Sequence, residues 1–311
     1  MTPSNIKPWI KQNQKSLDIK WSGASLVEKI SWIQFLRQTA NQDVGLAHCI
    51  QHNQAARVAI ELTGNIDLIT WLHSKEYCDL VGTASVSKNI DDCQVNYHTI
   101  NGCKKYVSNH AIADYHVLWV QNSETGRKDV IYVPGTAQGL HIDASLDLLG
   151  MEIAQPGDLV FDNVNNYVTL CQLGDQCHEP RNNYMNLAFC TVNLGLCESL
   201  LKDLNALTEL KNITHTNFNL RSLEMQLEIY QDQWKFCWPI LALDHYDKDQ
   251  SAQVHRLYSV GKKMLVDIIG LYLMVGNSTM LINGAPSQRF RDAIVYTTHR
   301  QNYYRSLYDY Y

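Results

Sequence analysis

The chain has 311 residues, 45% of them hydrophobic and 18% charged, with a formal net charge of −5. A chain of this length buries roughly 75% of its unfolded surface, and its composition is that of a globular protein, not a disordered one. The basic residues are scattered, which excludes the concentrated positive surface that nucleic-acid binding needs.

The opening Met1-Thr2-Pro3-Ser4-Asn5 has neither a charged start nor an apolar run, and no later segment is long and uncharged enough to cross a bilayer. A soluble, cytoplasmic protein without membrane contact is expected. The nine cysteines form no CxxC pair, so neither a zinc site nor a disulfide framework is expected. They read as small buried apolar groups.

In chain order, residues 1–75 form an N-terminal helical region. Leu26, Ile30, Ile33 and Leu36 recur at helical spacing, and Val44, Ala47 and Ile50, then Ala55, Val58, Ala59 and Leu62, predict a second helix pair. His48 and His52 stand at i, i+4, a metal-capable spacing. With no third ligand or HExxH pattern they read as polar-face residues.

Residues 76–178 change to short β-branched and aromatic runs and predict an antiparallel β domain. Asn101-Gly102 marks a hairpin between Val95–Ile100 and Lys104–Val107, and Val117–Val120 and Val130–Val133 read as buried strands. Residues 179–311 return to the helical period. One helix is expected to carry Leu223 through Leu241, and another Leu257 through Val275, with Asp247 to Ser251 as the polar connection. Long helices with short connections imply a C-terminal four-helix bundle.

Three segments carry more than a period. Asn101-Gly102-Cys103-Lys104-Lys105-Tyr106-Val107-Ser108-Asn109 continues through Ala113-Asp114. Leu149-Gly150-Met151-Glu152 is followed by Asp158 to Val164, and Arg291-Asp292-Ala293 comes near the end. In that order, across about residues 43 to 302, they resemble segments of the acyl-CoA dehydrogenase superfamily. The resemblance implies an α+β, acyl-CoA dehydrogenase-like fold and a flavin, FAD or FMN. In that family the middle strand lies along the flavin ring, an aromatic stacking on it and a hydroxyl meeting its reactive edge. Carried over, those roles fall to Tyr106 and Ser108, with the backbone of Val107 between them. Apart from the resemblance, Tyr106 and Ser108 read as an ordinary aromatic and an ordinary polar residue of a half-buried strand.

The sequence departs from the family at the catalytic base. The position of the family's Glu falls on Arg300, preceded by His299, and the alternative position, in Tyr184-Met185-Asn186, holds no acid. His299 is a candidate proton carrier near neutral pH; its plain alternative is a helix-end histidine bonded to a carbonyl. The segments that match the family's flavin-gripping loops, Glu76 to Gly82, His215 to Asn219 and Leu273 to Asn277, keep little of the pattern. The N-terminal region is short for the family, so one wall of the acyl pocket is expected to be open or completed by a partner chain.

Three functions compete on these grounds. The first is a monooxygenase using reduced flavin from a separate reductase, with His299 as catalytic residue and Tyr106, Val107 and Ser108 as flavin contacts. The second is an acyl-thioester dehydrogenase needing a partner subunit, and the third is a flavin-free, redox-neutral enzyme or binding subunit. A homo-oligomer is expected from the resemblance and from the tyrosine-rich tail at Tyr303 to Tyr311.

Overall fold

Ser25 opens the first long helix through a reciprocal cap. Its hydroxyl accepts from the Glu28 amide, and the Glu28 carboxylate accepts from the Ser25 amide at 2.7 Å. A computed structural model of the chain describes residues 5–62, 65–75, 81–85, 93–145, 153–154, 156–171, 179–211, 217–243, 247–276 and 285–298. The N-terminal layer contains α1 (Ile6–Gln12), α2 (Gln14–Leu17), a 3-10 turn (Trp21–Gly23), α3 (Leu26–Gln42), α4 (Val44–Leu62) and α5 (Ile66–His73). Asp43 both ends α3 and starts α4. Its amide donates to Thr39 and its carboxylate accepts from the Leu46 amide at 2.9 Å.

Two features of this layer differ from the sequence expectation. Helices α1 and α2 precede Leu26, held by buried Ile6, Ile10 and Leu17; they are too short for a period to register. Helix α4 is continuous across His48 and His52 and has no polar face. All its residues except His52 and Leu62 are buried, and those two are half-buried.

The middle of the chain forms β1 (Gly82–Ser85), β2 (Gln94–Asn96), β3 (Thr99–Val107), β4 (Tyr115–Asn122), β5 (Lys128–Pro134), β6 (Leu140–Ser145), β7 (Gly157–Val164) and β8 (Val168–Cys171). They make one sheet in the order β6-β7-β3-β2-β4-β5-β8, mainly antiparallel, with β1 and β2 running parallel to β4. Both faces of its centre are covered. Tyr115, Val117 and Trp119 of β4 join the core shared with the helices, while Leu118 and Val120 join a second core inside the β domain. Burial on both sides is why Val117–Val120 and Val130–Val133 read as unbroken apolar runs rather than alternating ones.

The Asn101-Gly102 pair is not the hairpin turn. The chain reverses at Tyr97-His98, both at positive φ (46° and 75°), and Asn101-Gly102 lies within β3. There Gly102, at φ 106°, sits at a register shift against β7, and the Asn101 side chain accepts from the Asn163 amide at 2.8 Å. A left-handed residue and an extra residue in the strand are the marks of a bulge, so the turn signal was real but served a different irregularity.

The bundle consists of α6 (Glu179–Lys211), α7 (Asn217–Phe236), α8 (Lys248–Gly276) and α9 (Ala285–Thr298). The helix expected to run through Leu241 stops at Phe236 and passes into a 3-10 turn, Trp238–Ala242. Pro239 removes an amide and disfavours α-helical backbone at the residue before it. Asp247 is not a connector but the cap of α8, its carboxylate accepting from the Asp249 and Gln250 amides at 3.0 Å. Core tyrosine and tryptophan satisfy their polar ends within the bundle: Tyr230 donates to the Cys190 carbonyl and Trp234 to the Thr191 hydroxyl.

Helix α6 packs directly on α3 at Gly195, where an added methyl would strike the Arg37 carbonyl, the Ala40 side chain and the Asn41 amide. Gly195→Ala is therefore expected to destabilise the protein by about 1–3 kcal/mol. Gly270→Ala, on α8 with open space around it, is expected to stabilise by about 0.5–1 kcal/mol. Urea unfolding of the two variants checks both signs.

Candidate functional site

The end of β3 is built from local irregularities that aim successive side chains in different directions. The β3/β7 pairing shifts register between Lys104 and Val107, and Tyr106 holds a left-handed backbone at φ 57°. Asp158 of β7 stabilises this bend, taking the Tyr106 amide at 3.1 Å on one oxygen and the Lys105 ammonium at 2.6 Å on the other. The Tyr106 ring is 41% exposed, whereas Val107 is fully buried in the β-domain core. Ser108 is buried toward the helices. Its carbonyl accepts from the Thr83 hydroxyl at 2.5 Å.

Helix α4 supplies the partner of the Ser108 hydroxyl. His48 Nε2 lies 2.9 Å from Ser108 Oγ, and the imidazole is only 4% exposed. One turn further, the His52 ring is 4.5 Å from that of His48. Phe189 of α6 lies 6.2 Å from His48 and 6.1 Å from His52, and Tyr296 of α9 lies 6.1 Å from His48, edge to face. Tyr296 donates to the Phe189 carbonyl at 3.2 Å, and the buried Lys262 ammonium of α8 binds the Tyr296 and Thr297 carbonyls at 3.0 and 2.7 Å. Strand β3, α4, α6, α8 and α9 thus converge on one cluster of hydroxyl, imidazole and aromatic groups.

The turn after Ser108 fixes that convergence. Asn109, at φ 60°, donates from its side chain to the Cys49 carbonyl of α4 at 2.9 Å, and its amide donates to Ala154 at 3.0 Å. His110 is fully buried against Gly157, where any side chain would collide with its ring. Beneath the turn, His116 of β4 is fully buried, and neither ring nitrogen has a hydrogen-bond partner among the described residues. Desolvation, with the nearby His110 adding to it, pulls its pKa down to about 3.

The structure leaves Tyr106 partly exposed and sets the Ser108 hydroxyl against His48 of α4. The Val107 side chain belongs to the β core. His299, Arg300 and the tyrosine-rich tail lie outside the described residues, as do residues 76–80, 215–216 and 277 of the expected cofactor loops, whereas residues 217–219 fall on α7 and 273–276 on α8. Arg291-Asp292-Ala293 falls on α9, where Ala293 is fully buried and the Gln288 amide donates to Asp292 at 2.8 Å. The residue that sequence reasoning missed is His48. Its i, i+4 spacing with His52 pointed toward a polar face, but a helix surrounded on all sides turns such a residue inward. The density of apolar and small residues around it, from Val44 to Ala59, was the available signal.

The residues fit a planar redox ring in two respects. An aromatic face is half-open to solvent, and the Ser108 hydroxyl, with His48 as its one partner among the described residues, retains hydrogen-bonding capacity. Among the described residues no three His, Cys, Asp or Glu side chains are grouped to hold a metal, and no helix is long and apolar enough to cross a membrane.

No protein-family model and no curated protein sequence matches the chain. Solved structures do. Dibenzothiophene monooxygenase TdsC from Paenibacillus sp. A11-2 aligns with a TM-score of 0.79 at 16% identity, covering 97% of this chain and 88% of that one. Butyryl-CoA dehydrogenase from Megasphaera elsdenii aligns at 0.75 and 15% identity, covering 94% and 84%. A glutaryl-CoA dehydrogenase from Mycobacterium smegmatis, in complex with FADH2, aligns at 0.75 and 15% identity, covering 95% and 86%. The fold is therefore that of the acyl-CoA dehydrogenases and of a related monooxygenase.

Burial of His116 has a pH consequence. Its folded pKa, about 3, lies below the ordinary 6.5, so between those values the unfolded chain binds the extra proton. Stability should fall on acidification through this window, by up to about 1.4 kcal/mol per pH unit from this group. His116→Leu is expected to flatten that slope, read as the difference between the urea midpoints of the two proteins as pH is lowered from about 7 to about 4.

Proposed function

We propose that the protein is a flavin-dependent oxidoreductase of monooxygenase type, using reduced flavin delivered by a separate reductase and acting on a small molecule. The observation that carries this reading is the buried His48–Ser108 pair, two residues along the chain from the exposed Tyr106, in a cluster whose other members among the described residues, His52, Phe189 and Tyr296, include no carboxylate. A proton abstraction of the acyl-CoA dehydrogenase kind needs a placed carboxylate. The likeness in fold to a monooxygenase supports the same direction.

When bound in reduced form, the flavin supplies the electrons with which dioxygen is activated. The chain's own residues do the rest. Tyr106 offers a stacking face. The backbone at Val107, fixed by the Asp158 clamp on Tyr106, and the Ser108 hydroxyl present hydrogen-bonding groups to the ring edge. His48 orients the Ser108 hydroxyl through their shared hydrogen bond. Phe189 and Tyr296 exclude water from one side. His299, next to the end of α9, is assigned a proton-carrying role with substrate. A homo-oligomer belongs to the same reading and is supported by Met225, Ile229 and Phe236 on α7 and Leu273 and Met274 on α8, all more than half exposed.

The reading is tested by titrating the protein with FMN and FAD, oxidised and reduced, and following flavin absorbance and fluorescence. Saturable binding near one flavin per chain is expected, and the preferred flavin is read from the same curves. Tyr106→Ala should weaken binding by about 2- to 10-fold, the value of one aromatic stack. His48→Gln should retain flavin while slowing substrate oxygenation by about 10²-fold or more. Absence of binding by any form would leave a redox-neutral role, and flavin bleaching by an acyl thioester without oxygen would favour the dehydrogenase alternative.

A further inference from the structure

Two consecutive residues of the turn after β3 meet two consecutive residues of α4. Ser108 Oγ lies 2.9 Å from His48 Nε2, and Asn109 Nδ2 donates to the Cys49 carbonyl at 2.9 Å. The second contact belongs to a closed ring. Asn109 Nδ2 also donates to the Gly82 carbonyl at 3.3 Å, and the Gly82 amide donates to Asn53 Oδ1 at 2.8 Å. Asn53 lies on α4 four residues after Cys49. Four residues rise about 6 Å along a helix axis, so the ring leaves α4 and returns to it within about one turn.

The ring is buried and each amide in it is half used. Asn53 and Asn109 are fully buried, and Asn53 Nδ2 and Asn109 Oδ1 have no hydrogen-bond partner among the described residues. An unmet buried polar atom costs stability, so packing alone would favour an apolar side chain at either position. The bond made by the other half of each amide is what asparagine supplies there. At Asn109 the backbone adds a second reason, because its φ of 60° lies in the left-handed region that asparagine adopts more readily than most side chains. Gly82, the bridge, has a constraint of its own. Any side chain on it would strike the Tyr115 ring, so glycine keeps that peptide within reach of both amides.

Thr83 completes the grip. It follows Gly82 in β1, and its hydroxyl donates to the Ser108 carbonyl at 2.5 Å. Ser108 is thereby held at its own carbonyl by Thr83 and, through Asn109, by Gly82 and Cys49. The residue before Cys49 carries the imidazole that the Ser108 hydroxyl bonds. Asn53, Gly82 and Asn109 are all buried, so they act on the site through Ser108 and not by touching a ligand.

We infer that Asn53 and Asn109 are positioning residues, which through Gly82 set the Ser108 hydroxyl against His48. The consequence for flavin rests on the reading above, whereas the coupling itself is read without flavin. In the flavin-free full chain, the imidazole nitrogen resonances of His48 are assigned by NMR with His48→Gln. They are expected to move in Asn109→Gly, which keeps the left-handed backbone, and in Asn53→Ala, each in the direction that Ser108→Ala moves them. Ser25→Ala removes the cap of α3 and destabilises the protein without touching the ring, and it should leave these resonances in place. Unmoved resonances in the two asparagine variants, or an equal movement in Ser25→Ala, would overturn the assignment; should one asparagine variant fail to fold, the other decides. The same variants are then titrated with reduced flavin, and affinity about tenfold weaker than that of the unaltered chain is expected. Unchanged affinity would overturn the positioning role toward flavin. No binding by the unaltered chain, with His48 still coupled to the two asparagines, contradicts the flavin reading alone.

Discussion

Helix α4 has no solvent face, and every polar group on it must be satisfied from inside the protein. Its neighbours meet much of that requirement, although the Gln51 side-chain amide has no hydrogen-bond partner among the described residues. Ser22 reaches Glu61, Gly82 at the start of β1 donates to Asn53 at 2.8 Å, Tyr184 of α6 donates to the Gln51 carbonyl at 3.1 Å, and Asn109 donates to the Cys49 carbonyl. Each such bond is worth only about 0.5–1.5 kcal/mol net, but a buried partner left unmade costs more. The N-terminal layer, the sheet and the bundle are thereby held in register around a single helix.

The candidate site is a product of the same constraint. His48 is an imidazole that burial would penalise, and the Ser108 hydroxyl at 2.9 Å gives it a partner. The bulge and left-handed turn at Tyr106 and Asn109 are what bring that hydroxyl to α4 while leaving the Tyr106 ring at the surface. Lys262 ties the end of α9 to the bundle from the other side, so α9 leaves the cluster from a fixed point. A buried hydroxyl–imidazole pair held between packed elements, with an aromatic face at its rim, is an arrangement suited to orienting a planar ligand.

Much of the fold was legible because both faces of the central strands and long stripes of the bundle helices are apolar, and such patterns survive as periods. The turn residues were legible as irregularities but not as types. Asn101-Gly102 favours left-handed backbone whether in a turn or a bulge, and only the competing reversal at Tyr97-His98 decides between them. Pro239 and Asp247 carried boundary signals that a long apolar period overrode. Tyr106 and Ser108 could be picked out in the sequence as candidates, but the His48–Ser108 contact could not, since it spans sixty residues and depends on α4 being enclosed. Local spacing contains neither fact.

The most direct test of the account is whether flavin is felt at His48. Histidine imidazole resonances of the isotopically labelled protein, assigned with a His48→Gln variant, would be followed by NMR as reduced FMN or FAD is added. The account predicts a saturable change in the His48 signal that tracks flavin binding and is diminished in Ser108→Ala. Flavin that binds stoichiometrically while the His48 signal stays unmoved would contradict it and place the ring elsewhere on the protein.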